Sequence, residues 1–155
     1  MQQRIIVALV LGLAASMAEA QTPRPSQRPR LSLELLADTL AVCRLAADAP
    51  VPTWAVVPGR FVTISRTADE LSVTAPQASV PLDIQCEREY RALRVKGPLP
   101  LNLIGILASV AEPLAEAGLS IFAISTFDTD YVLVKARDLE AAVTTLEHAG
   151  HQVSR

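Results

Sequence analysis

The spacing of apolar positions changes several times along the C-terminal half, and each change marks an element. Tyr90 to Val95 reads YRALRV, a β-compatible run ending at the turn signal Gly97-Pro98. Ile104, Leu107, Ala111 and Leu114 then recur at spacings of three and four, predicting an amphipathic helix over 101–117. Gly118 suits its C′ stop, while Pro113 inside the pattern should kink the helix or split off its last turn. LSIFAIS (119–125) is nearly continuous in apolar residues, predicting a strand covered on both faces. TFDTD and YVLVKA follow as a turn and a second strand, together a hairpin. Asp138 is placed to N-cap a second helix whose buried face is Leu139, Ala142, Val143 and Leu146, with Gly150 ending it and HQV as a short edge strand. The order β-α-β-β-α-β is the ferredoxin-like plan, an antiparallel sheet with both helices on one face.

The N-terminal half gives mixed signals. Leu33, Leu36, Leu40, Cys43 and Ala47 match helical spacing, yet residues 40–45 suit a strand equally, so periodicity leaves both open. Three prolines around Trp54 leave room for at most one helical turn. FVTISRT and LSVTA, separated by Ala68-Asp69-Glu70, predict another hairpin. Before these, Ile5 to Ala18 is uncharged and mostly apolar, follows Arg4, and precedes Ala18-Glu19-Ala20, which fits a small-x-small cleavage site. Residues 1–20 therefore read as a secretory signal and imply a periplasmic or secreted product. Met17 as the true start, with a cytoplasmic product, is the alternative. Residues 21–30, QTPRPSQRPR, read as an extended linker.

Length and charge narrow the function. The 155 residues fit one domain or two very small ones sharing a core. Fourteen basic against sixteen acidic residues, net −2, exclude a strongly basic nucleic-acid protein. No apolar stretch reaches the roughly 18 residues that cross a bilayer, so the mature chain carries no integral membrane segment.

Catalytic patterns are absent. There is no G-x-S-x-G, P-loop or G-x-G-x-x-G. His148 and His151 lack a third metal ligand and read as solvated cations at a helix end. Cys43 reads as a small core residue, and an exported chain would allow its pairing with Cys86. Asp128 and Asp130 read as turn formers, without the further ligands of a calcium loop. Phe122 and Phe127 are too few aromatics for an RNA-binding sheet. These readings give a non-enzyme with neither cofactor nor metal.

The segment KGPLPLNLIGILASVAEPLAEAGLSIFAISTFDTDYVLVKARDLEAAVTTLEHAGHQV, with the upstream AVCRL, P-x-P-x-W and RTADELSV stretches, resembles the ACT domain of small bacterial ACT proteins. Those are related to the ACT repeats of the cytosolic arginine sensor of the mTOR pathway. The resemblance spans Leu31 to Val153 and implies an α+β fold of two ACT-like (ferredoxin-like βαββαβ) units with antiparallel sheets and helices on one face. Residues 31–88 would be a degenerate first unit and 89–155 the ACT domain proper. ACT units bind small effectors, usually amino acids, where units pair, so the resemblance implies an amino-acid sensing module and a homodimer. Its ligand groups would be Asn102, Gly105 and Leu107 at the helix start and Thr126, Phe127 and Asp130 from the hairpin. A helix N-terminus suits a carboxylate, and an Asp suits an amine. Asn102 stands where the arginine-sensing relatives carry Asp, and Pro100 removes an N–H from the contact loop. Both motivate the alternative of a structural or protein-interaction module that keeps the fold without the ligand; an exported protein with an extracytoplasmic partner is a third reading. Gly105 also suits close helix–sheet packing and Phe127 a core plug. Trp54 is expected to plug the space between the halves, and Thr67 and Asp69 to form a turn.

Overall fold

The computed structural model describes residues 28–155; the leader and most of the linker, residues 1–27, lie outside the described residues. Seven strands form one sheet: β1 (Ser32–Leu45), β2 (Thr63–Arg66), β3 (Leu71–Pro76), β4 (Cys86–Val95), β5 (Phe122–Ser125), β6 (Asp130–Lys135) and β7 (Gln152–Ser154). The two α-helices among the described residues, α1 (Ile106–Glu116) and α2 (Leu139–His148), both belong to the C-terminal half. The main strand order is β2-β3-β1-β4-β6-β5.

β1 joins the halves. It pairs with β4 along one edge. On its other edge it pairs antiparallel with β3 through Leu40–Leu45 and parallel with β7 through Ser32–Glu34. The ambiguous stretch from Leu33 is thus a 14-residue strand, and long-range pairing overrides its helical spacing. The last strand of the βαββαβ run meets β1, which lies between it and β4. The N-terminal half contributes three strands and, among the described residues, no α-helix, and it continues the same sheet. The division at 88/89 falls inside β4. A bulge sets Arg88 and Glu89 of β4 opposite Ala41 alone. Glu89 takes φ 62° there, and its N–H donates to Gln77 Oε1 at 2.7 Å.

The helices cover one face of the C-terminal sheet. Leu33, Leu93, Val95, Val132 and Val134 meet Val110, Leu114, Ala142, Val143 and Leu146 there. The buried face of α2 is the expected one. Asp138 stands at its N-cap but makes no side-chain cap bond. Both helices end in Schellman geometry: Gly118 and Gly150 take φ 72° and 94°, Leu119 N–H donates to Leu114 O, and His151 N–H donates to Leu146 O.

α1 differs from its expected form. It begins at Ile106, and it buries Ser109, Val110, Pro113 and Leu114. Ile104 is 93% exposed, because residues 101–105 form a turn instead of a first helical turn. Nor does Pro113 split the helix, which continues to Glu116. Pro113 leaves Ser109 O without its i+4 donor, and His151 Nε2 sits 3.0 Å from that oxygen. His151 Nδ1 accepts from Leu31 N–H at 3.2 Å. Nε2 therefore carries the hydrogen, and His151 is a buried neutral clasp instead of a solvated cation; His148 remains exposed at the helix end.

Two further expectations change, and the pairing of Cys43, which the sequence left open, is decided. β5 is an edge strand with alternating exposure, and the strand covered on both faces is β6, where Val132, Leu133 and Val134 are all buried. Trp54 packs beside Ala41, Cys43, Leu71 and Val73, under the N-terminal strands and not between the halves. Cys43 is buried and also bonded to Cys86, its register partner across β1 and β4. The two predicted hairpins form, β2–β3 and β5–β6. Thr67 Oγ1 closes the first by accepting from the N–H groups of Asp69 and Glu70.

Candidate functional site

The loop after β4 is fastened to the turn of the β5–β6 hairpin. Leu99 N–H donates to Asp128 O at 2.8 Å, and Thr129 Oγ1 donates to Val95 O at 2.5 Å. Gly97 permits the approach, since a Cβ there would stand 2.7 Å from Asp128 O. Thr126 closes the turn itself: its N–H and Oγ1 both donate to Thr129 O, at 2.9 and 2.8 Å.

Between this turn and the start of α1 lies a cavity of about 220 Å³. Thr126, Phe127 and Asp130 line it, as do Pro100, Leu103 and Ile106. Asp130 holds one carboxylate oxygen toward Ser125 Oγ, which donates at 2.5 Å. The first intrahelical bond of α1 runs from Ser109 N–H to Gly105 O, so the N–H groups of residues 106–108 lack helical partners. No acidic side chain occupies that first turn. The arrangement offers a partly positive helix end and a fixed carboxylate across a small apolar hollow.

The six expected ligand residues divide evenly. Thr126, Phe127 and Asp130 converge on the cavity, whereas Asn102, Gly105 and Leu107 do not line it. Asn102 is exposed in the turn before the helix. Gly105 is the N-cap with φ 84°, and no atom lies within 4 Å of a Cβ built on it; its role is backbone conformation, not close packing. Leu107 packs against the core. Phe127 is 79% exposed and plugs no core. Leu103, Ile106 and Thr129 were not singled out by the sequence. Leu103 and Ile106 fell inside the expected helix, and Thr129 looked like one more turn residue. No group of three or more His, Cys, Asp or Glu suited to a metal occurs among the described residues.

Comparison with known proteins fits this layout. The ACT-domain family model matches residues 85–148. A crystal structure of protein Atu0741 from Agobacterium tumefaciens is 37% identical, superposes with a TM-score of 0.76, and is matched over 81% of this chain and 93% of that one. The chain carries an ACT domain over residues 85–148. A second family model, described only as an N-terminal domain, matches residues 38–83. The human protein CASTOR3P is 43% identical over 47 residues, which is 30% of this chain and 29% of that protein. This ACT protein also shares its fold with the regulatory subunit of aspartate kinase from Thermus thermophilus, at a TM-score of 0.53 and 13% identity, over 76% of this chain and 96% of that one. The chain is an α+β, ferredoxin-like protein whose C-terminal half carries an ACT domain. No helix among the described residues is long and apolar enough to cross a membrane.

Proposed function

We propose that this ACT protein is a non-catalytic sensor that binds an amino acid in the cavity between the α1 start and the β5–β6 hairpin. The observation that carries the reading is that Asp130, Thr126 and Ile106, the first residue of α1, line one hollow. The helix end suits an α-carboxylate and Asp130 suits an α-amine. At about 220 Å³ the hollow is smaller than sites that enclose a ligand, which run from roughly 300 Å³. It is half a site. Its lining carries exposed apolar side chains, Leu101 (72%), Leu103 (48%) and Phe127 (79%), which a second ACT unit would cover in a homodimer. Ligand and association would then favour each other, because the ligand binds the paired state better.

The mature protein is proposed to be periplasmic or secreted. The charge-flanked apolar leader and the Cys43–Cys86 bridge support this, since disulfides persist in oxidising compartments. The competing reading, a partner-binding module without effector, draws on Pro100, which lines the hollow without an N–H to offer.

Thermal unfolding of the chain with each standard amino acid at millimolar concentration tests the proposal. A ligand at about 100 times its Kd adds roughly 2.7 kcal/mol, a rise of a few degrees. One or two amino acids should produce it, and Asp130→Asn should abolish it. Equal midpoints with all of them would favour the partner-binding reading.

A further inference from the structure

On the face opposite the helices, a second and larger space opens. Leu93, Val95, Val132 and Val134 point to the helices, so Arg94 and Tyr131, which alternate with them, point away. Glu34, Arg94 and Tyr131 are register partners across β1, β4 and β6 and form one row. Two adjoining cavities of about 590 and 480 Å³ share Arg94, Thr126 and Tyr131 and so make one cleft above this row. One end is closed by the fastened loops, with Lys96 and Asp128 on its wall. The other is closed by residues 59–63, whose Phe61 ring lies 4.5 Å from the Tyr131 ring.

The cleft is lined by three cations, Arg60, Arg94 and Lys96, and two carboxylates, Asp38 and Asp128. Arg60 pairs with Asp38, and Arg94 Nη2 donates to Glu34 Oε2 at 2.6 Å. That hydrogen bond raises the Arg94 pKa above its ordinary value, against the opposing effect of burial. Glu34 orients the guanidinium through one of its five donors, Nε is buried without a partner, and the side chain as a whole stays 41% exposed. Lys96, two residues along the same strand direction, is exposed and has no ion-pair partner among the described residues. A guanidinium set in a central strand, a second cation beside it and an aromatic wall make a built receptor for a planar anion.

We propose that this cleft is a second ligand site, separate from the hollow at α1, and that it takes a small metabolite bearing a carboxylate. The carboxylate docks on Arg94 and Lys96, and the body of the ligand lies along Tyr131 and Phe61. Thr126 and Thr129 border both this cleft and the hollow, so the hairpin turn is the wall between the two sites.

Amide chemical-shift mapping of the full chain, titrated with succinate, with glutamate and with uncharged succinamide, tests the proposal. Succinate or glutamate should shift the amides of Lys96, Thr126 and Tyr131 at millimolar concentration, and succinamide should not. Lys96→Gln, at an exposed position, should weaken the binding about tenfold, the effect of losing one charge-assisted hydrogen bond. Arg94→Lys, which keeps the charge but loses the fork, should weaken it as well. No shifts with either carboxylate, or equal affinity in both variants, would overturn the site. Shifts confined to Leu103, Ile106 and Asp130 would overturn it too, while leaving the effector reading intact.

Discussion

His151 shows how far a single residue's role can lie from its local sequence. Its ring joins the chain near Leu31 to the middle of α1, accepting from Leu31 N–H and donating to Ser109 O. The need for a donor at Ser109 arises from Pro113, four residues further on, which has none. Nothing near position 151 announces this, so the residue looked like a helix-end cation. His151→Ala should strip partners from one buried carbonyl and one half-buried N–H. The expected cost is about 2–4 kcal/mol, from unmet hydrogen bonds and lost packing. Urea unfolding of the variant checks it, and a loss under about 0.5 kcal/mol would remove the clasp from the account.

Among the elements, α2 was legible and α1 only partly so. Every buried position of α2 followed its period because that helix does nothing but cover the sheet. In α1 the period misled at Ile104, which is exposed, and Leu101 and Leu103 of the expected helix are apolar but exposed, lining the hollow instead of entering the core. A conflict between pattern and burial of this kind belongs at functional surfaces. β1 was ambiguous for another reason, since its strand form depends on partners 26 (Leu45 to Leu71) to 120 (Ser32 to Gln152) residues away in β3, β4 and β7. The Cys43–Cys86 bridge pins β1 to the start of β4 and encloses β2 and β3 at a sequence separation of 43. In the chain-entropy model a loop of that length is worth roughly 4 kcal/mol. Cys43→Ala, or reduction of the wild type, should therefore lower the unfolding free energy by about 2–4 kcal/mol. Urea midpoints with and without reductant measure this, and identical midpoints would contradict it.

At the scale of the whole molecule, the two proposed ligand sites lie on opposite sides of a single hairpin turn. The ferredoxin-like plan of residues 90–153 was legible because each element's period and stop signals agreed. The insertion of β1 between β4 and β7 was not, since strand order is a long-range property. Nor was the cleft at Arg94, which appears only when three strands bring Glu34, Arg94 and Tyr131 into one row. The half-formed hollow and its apolar rim make the central claim one of linkage: effector binding and pairing of ACT units stabilise each other. Sedimentation equilibrium of the full chain across a wide concentration range, with and without a millimolar mixture of the standard amino acids, addresses it most directly. The account predicts a mass that rises toward two chains, at lower protein concentration when the amino acids are present. A mass of one chain at every concentration, unchanged by the mixture, would contradict it.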